Sequence, residues 1–190
     1  EDVPTKANDE GIFGYGNTGS VSSLSNKVNN SGVVASDVTG VGTARKFLGA
    51  TQYGGDKAIF GFGTTGSSTA VTNLVSNAGV VATDVTGVGT ARHYITACSF
   101  GGDKGIFAYG SGPTSISNLV SNAGVVATDT TGVGTTRYFL GACEYGGDKG
   151  VFGYGDDDSG SYTSNTNRVS NVGVVATDTT GVGTARYALT

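Results

Sequence analysis

Four arginines, Arg45, Arg92, Arg137 and Arg186, each follow the same phrase, Gly-Val-Gly-Thr and then Ala or Thr. Guanidinium groups that converge on one place attract a carboxylate or a sulfate, because each planar fork donates two parallel hydrogen bonds to a planar anion. An element written into every repeat also suits an architectural part, donating to carbonyls or pairing with Asp37, Asp84, Asp129 and Asp178, which recur with it. A second set is aromatic and acidic. Tyr15, Phe62, Tyr109 and Tyr154 stand at the roots of four segments that differ in length and sequence, residues 17–25, 64–71, 111–116 and 156–166. Aromatic faces beside Asn, Ser, Thr and Asp are the parts of a sugar site, which stacks the ring and orients its hydroxyls. The other use of the same rings is packing between repeats. Asp156, Asp157 and Asp158, with Tyr162 nearby, complete this set as a solvated loop or a weak Ca²⁺ site.

Other chemistries lack their parts. The single histidine, His93, stands where the other copies have Lys46, Tyr138 and Tyr187, so neither a Ser-His-Asp relay nor a multi-histidine metal site can be assembled. The glycines of Thr-Gly-Val-Gly-Thr lack the Lys-Ser/Thr of a phosphate loop and open no helix, which makes the phrase a connector. No carboxylate pair stands out as a glycosidase couple. The net charge of −4 comes with no basic cluster, which excludes nucleic acid as a partner. No apolar run approaches the roughly 20 residues of a membrane span. The expectation is a protein that is not an enzyme.

The elements that position these residues follow from the repeat. The arginines are spaced by 47, 45 and 49 residues, and the chain holds 34 glycines with only 14% charged residues. Periods in the forties with this Gly, Val, Ile, Phe and Tyr content predict strands and tight turns rather than paired helices. One copy reads as Arg92 to Phe100 for the inner strand, a Gly-Gly-Asp turn, Gly105 to Gly110, a variable loop, Ser117 to Asn122, a turn, and Val125 to Thr130. Four short antiparallel strands cannot bury both faces alone, so repeats must stack. Small residues on the inner strands, Gly49, Ala50, Ala97, Gly141 and Ala142, suit the crowded axis of a propeller. The predicted fold is all-β, a single four-bladed β-propeller of four-stranded antiparallel blades. Three blades cover about 46–92, 93–137 and 138–183. The fourth combines 9–45 with 184–190, closing the ring by pairing the C-terminal strand with the N-terminal partial blade. The same ends suit an open array, or pairing between copies.

Cys98 and Cys143 occupy equivalent positions of two repeats, as free thiols or as a disulfide. The chain has no methionine, which predicts a processed chain or a piece of a longer one, and suits secretion or a virion.

The order Arg, four residues, Ala, two residues, Tyr or Phe, Gly-Gly-Asp-Lys, Ile or Val, Phe, then Asn and Asp at turns, resembles a kelch-type repeat, without that family's tryptophan. The words Tyr-Gly-Gly-Asp-Lys, Phe-Gly-Tyr-Gly and Gly-Val-Val-Ala-Thr-Asp are also similar to arrays in tail-fibre-like proteins of marine phages and in bacterial surface proteins, over residues 9–190. The resemblance implies a propeller on an exposed appendage or binding module, extracellular or on a virion surface, and names no ligand. Kelch-like copper oxidases need two His ligands and a Tyr–Cys pair, which this chain lacks; small propellers can hold Ca²⁺ in a central channel, and no other cofactor is expected. The expected function is non-enzymatic recognition of cell-surface carbohydrate through variable loops on one face. The alternative is a structural protein that associates with copies of itself in a coat, sheath or filament.

Overall fold

The computed structural model describes residues 8–112, 114–157 and 159–189. Its eleven strands are β1 Gly11–Asn17, β2 Val21–Val28, β3 Gly49–Tyr53, β4 Lys57–Gly61, β5 Thr72–Val75, β6 Thr96–Phe100, β7 Lys104–Ala108, β8 Ser117–Val120, β9 Gly141–Tyr145, β10 Lys149–Gly153 and β11 Thr166–Val169. Among the described residues there is no helix. The strands form one antiparallel pair, β1-β2, and three antiparallel three-stranded sheets, β3-β4-β5, β6-β7-β8 and β9-β10-β11. The all-β expectation holds, and the sheets follow the sequence repeat.

Each inner hairpin is set by its Gly-Gly-Asp turn. In Gly101 and Gly102 the backbone is left-handed (φ 61° and 78°), a conformation glycine reaches without a Cβ clash, and Phe100 then faces Lys104 across the ladder. The expected inner strand from Arg92 shortens to Thr96–Phe100, because Tyr94 has φ 53° and turns the chain out of extended geometry.

The expected fourth strand is not one. Residues 125–130 touch β8 only at two isolated bridges, Val120 with Val126 and Ser117 with Thr130. Between them the Asn118 side chain donates to the Ala127 carbonyl (3.0 Å) and to Asp129 Oδ1 (2.9 Å). A carboxamide therefore fills the gap where a continuous ladder would run. Asn26, Asn73 and Asn167 repeat this arrangement.

Successive sheets stack face to face. β3 packs on β6 and β6 on β9. Backbone bonds tie each repeat to the next: Gly54 N donates to Asp103 O and Gly101 N to Asp148 O, both at 2.7 Å. Phe107 and Phe152 are buried between sheets, set edge-on against Phe62 (5.2 Å) and Tyr109 (5.6 Å) of the preceding repeat. Two apolar clusters result, one around Ile59, Phe62 and Phe107, the other around Ile106, Tyr109 and Phe152.

Ring closure is not seen. Among the described residues, no strand pairing or backbone hydrogen bond joins the last sheet to β1-β2. The C-terminal segment seats Leu189 over Gly141, and Ala188 N donates to Phe139 O (3.0 Å), so it continues the stack on β9 instead of pairing with β1.

Candidate functional site

The three internal arginines are structural keys of the stack. Arg45, Arg92 and Arg137 are fully buried, whereas Arg186 is exposed. Each lies over the ring of the preceding repeat: Arg45 over Tyr15 (4.2 Å), Arg92 over Phe62 (4.5 Å), Arg137 over Tyr109 (4.9 Å), Arg186 over Tyr154 (4.2 Å). The Nε of Arg45 donates to Phe62 O and that of Arg92 to Tyr109 O, both at 2.8 Å. Arg92 Nη2 donates to Asn118 Oδ1 at 2.6 Å, and Arg137 Nη2 to Asn167 Oδ1. Burial pulls Arg92 down to about 10, which leaves it charged at neutral pH. The expected Asp partners engage mainly through threonine: Thr43 Oγ1 donates to Asp84 (2.6 Å), Thr90 Oγ1 to Asp129 (2.7 Å) and Thr135 Oγ1 to Asp178 (2.6 Å). The buried guanidiniums are committed to neighbouring repeats one by one, and each serves its own joint.

This arrangement also covers the expected sugar platforms. Tyr15, Phe62, Tyr109 and Tyr154 all have left-handed backbones (φ 62° to 65°), each followed by a left-handed glycine. That double reversal follows the middle strand of each three-stranded sheet, makes a bulge inside β1, and lays the ring beneath an arginine. Phe62 and Tyr109 are fully buried. Phe62 and Tyr109 are packed between repeats, whereas Tyr15 and Tyr154 are half-buried beneath their arginines.

A different aromatic set is partly open to solvent. Immediately after each arginine comes a pair, Lys46-Phe47, His93-Tyr94, Tyr138-Phe139 and Tyr187-Ala188. The second member is again left-handed (φ 57°, 53°, 55° and 54°). Its amide donates to the corresponding carbonyl one repeat back: Tyr94 N to Phe47 O (3.0 Å), Phe139 N to Tyr94 O (3.4 Å). The rings of Phe47, Tyr94 and Phe139 consequently line up along the stack, 4.5 and 4.0 Å apart between centroids and tilted by 48° and 36°. Phe47 is 42% exposed. Together with Leu48, Ile95, Leu140 and Leu189 the row borders a shallow groove of about 150 Å³. The sequence signal was present as an aromatic after Arg-x in three repeats, but nothing in that spacing says that the ring stands outside.

The variable segments reach this row. Lys46 bridges Thr64, and Tyr138 bridges Asp156, which in turn bridges Tyr162. Tyr162 stacks on Tyr187 at 4.5 Å and 22°, and a hydrogen bond between the two hydroxyls pushes Tyr162 up. His93 Nδ1 meets Ser68 Oγ (2.9 Å) and Ser111 Oγ (2.7 Å), and burial pulls the imidazole down. In the first repeat most of 17–25 is strand, since β2 begins at Val21. Asp157 accepts from the Ser159 amide (3.0 Å) and hydroxyl (2.6 Å), a local turn; Asp158 lies outside the described residues. Among the described residues no three His, Cys, Asp or Glu side chains gather as a metal-holding group. Cys98 is buried and Cys143 exposed, both as free thiols; burial pushes Cys98 up to about 12.

A larger cleft, about 320 Å³, lies between β1 and β3 and is lined by Ile12, Ala50, Thr51, Lys57 and Phe60. It corresponds to the place that an inner strand holds against the next sheet elsewhere in the stack, so its shape belongs to the repeat. No helix among the described residues is long and apolar enough to cross a membrane. No family model matches the chain, and no curated protein matches it.

Proposed function

We propose that the chain is a non-catalytic carbohydrate-binding repeat module of an extracellular or virion surface, and that its ligand lies along Phe47, Tyr94 and Phe139 with Tyr162 and Tyr187 at one flank. One observation carries this reading: three successive repeats set their rings in a single row, exposed at Phe47 and half-buried at Tyr94 and Phe139, on the face where the variable segments end. Sugar rings lie against aromatic faces, and the tilt between neighbouring rings leaves part of each face open. Ser68, Ser111, His93 and Asp157 offer hydroxyl, imidazole and carboxylate groups around the row. A ligand that itself repeats, such as a polysaccharide, matches a site that repeats. Kinship with kelch-type repeats, or with phage and bacterial surface arrays, enters as part of the same proposal and rests on the repeated words.

The closed four-bladed ring is the finer form of the fold expectation. It calls for a pairing of the C-terminal strand with β1 that is not among the pairings of the described residues, and we favour the open stack. The other functional expectation, association with copies of itself, rests on the ends of the stack and not on this face.

A glycan array, followed by titration of the best ligand, tests the reading. Phe47→Ala and Tyr162→Ala remove exposed rings and should each weaken binding about tenfold, the equivalent of about 1.4 kcal/mol. Unchanged binding in both variants would place the ligand elsewhere.

A further inference from the structure

The structure contains the same joint three times, and the two ends of the stack carry its two halves. In each internal joint a threonine of one connector meets an aspartate of the following repeat, and in the second and third the connector's arginine also meets its asparagine, whereas Arg45 donates to the Phe60 and Phe62 carbonyls. Thr43 and Thr90 donate through amide and hydroxyl to Asp84 and Asp129. Arg92 and Arg137 donate to Asn118 and Asn167. A phenylalanine of the following repeat, Phe60, Phe107 or Phe152, sits edge-on against Tyr15, Phe62 or Tyr109. The fit is close: a Cβ added at Gly42, Gly89 or Gly134 would stand 2.3 Å from the docked carboxylate.

At the N-terminal end the receiving half is present without its donors. Among the described residues Asp37 is bonded only to Asn26 (2.8 Å), and no threonine reaches it. Phe13 is 64% exposed, whereas its counterparts Phe60, Phe107 and Phe152 are 4%, 0% and 0%. At the C-terminal end the donating half is present without its receiver. Among the described residues Thr184 has no carboxylate partner, and the Arg186 side chain reaches only the Thr184 carbonyl (3.2 Å) and the Tyr154 face. Among the described residues Tyr154 has no phenylalanine at its edge, and a Cβ at Gly183 would meet nothing closer than the Tyr154 hydroxyl at 3.4 Å.

We propose that these two surfaces bind each other between copies: Thr184 and Arg186 of one chain dock on Asp37 and Asn26 of a second, with Phe13 of the second against Tyr154 of the first. The occupant is a second copy because the chemistry, the order of groups and the apolar contact all continue an interface the chain already makes with itself three times. A head-to-tail contact of this kind is heterologous, so it extends the stack copy by copy and does not stop at a closed pair. It involves the ends of the stack and leaves the aromatic row exposed, so it stands or falls independently of carbohydrate binding.

Sedimentation of the full chain over a wide concentration range, with two end variants, tests it. Asp37→Ala keeps the donating end and spoils the receiving end; Arg186→Glu does the reverse. Both residues are exposed, and Thr184→Ala serves as a milder second variant of the donating end. The wild-type mass should climb with concentration in steps of the 18.9 kDa chain. Each variant alone should dissociate roughly 30-fold more readily or worse, the effect expected for breaking a hydrogen-bonded charged contact. An equimolar mixture of Asp37→Ala and Arg186→Glu should form a pair and nothing larger, because each supplies the one half that the other lacks. The proposal is overturned by a wild type that stays at 18.9 kDa throughout, including one more compact than its variants because its own ends meet. Oligomers that persist unchanged in both variants would overturn it equally.

Discussion

Asn118 shows how much one side chain decides in this protein. Its carboxamide accepts from Arg92 and donates to Ala127 O and Asp129, fully buried in a joint between two repeats. Replacing it with alanine strands a buried guanidinium hydrogen and a backbone carbonyl together. We expect Asn118→Ala to lower stability by about 2–4 kcal/mol in denaturant unfolding; a loss under about 0.5 kcal/mol would contradict the assigned bonds. The aspartates of the joints give a pH prediction. Burial pushes the carboxyls of Asp84, Asp129 and Asp178 up, but hydrogen bonds from Thr43, Thr90 and Thr135 and from the asparagines outweigh it and hold all three below the usual carboxylate range. A carboxyl depressed in the folded state contributes stability that is complete above its unfolded value, about 3.9, and lost as pH falls through the folded one. Unfolding should therefore begin below about pH 4, and Asp129→Asn should flatten that acid limb of the stability curve. The recurrence of these arginines and aspartates was plain in the sequence. That the arginine covers an aromatic ring of the preceding repeat was not, because the two meet only after the sheets stack.

At the scale of the strand, the readable parts were those fixed by local chemistry. Gly-Gly-Asp turns located the first hairpin of the three three-stranded sheets, and the repeated β-branched and aromatic words located their strands. The fourth strand was misread because Val-Val-Ala-Thr has every strand propensity, yet the Asn side chain takes the intervening ladder positions. The outward aromatics were hidden for a related reason: bulky residues rarely adopt the left-handed region, so Tyr94 or Phe139 at φ near 54° has no sequence signature. Packing of strand on strand yields a paired prediction. Phe107→Ala removes a ring buried between two sheets and should cost about 3–5 kcal/mol. Phe13→Ala, at the equivalent position of β1, should change the stability of the isolated chain by no more than about 0.5 kcal/mol. Equal losses at both positions, measured by urea unfolding of dilute protein, would mean that β1 is covered by another part of the chain.

The whole molecule is a row of sheets in which each repeat touches its neighbours, so its stability is a sum of local and nearest-neighbour terms. Both apolar clusters lie among the three-stranded sheets, and β1-β2 contributes no residue to either. Hydrogen exchange read by mass spectrometry should show β6-β8 most protected and β1-β2 exchanging first. Uniform protection of all four sheets would indicate a closed, cooperative ring. The repeat and its period made the stacking of sheets legible, but complementary ends describe a ring and an open row equally well, and the seat of Ala188 on Phe139 repeats the contact that Phe139 makes on Tyr94. The aromatic row follows the same logic, since only stacking turns one aromatic per repeat into a row. The most direct measurement is affinity electrophoresis through gels holding the polysaccharide chosen by the array, comparing wild type with a Phe47→Ala/Tyr162→Ala/Tyr187→Ala variant. The wild type should be retarded and the variant should migrate as it does in a gel without polysaccharide. Equal retardation of the two, with the variant folded, would contradict a carbohydrate site on the aromatic row.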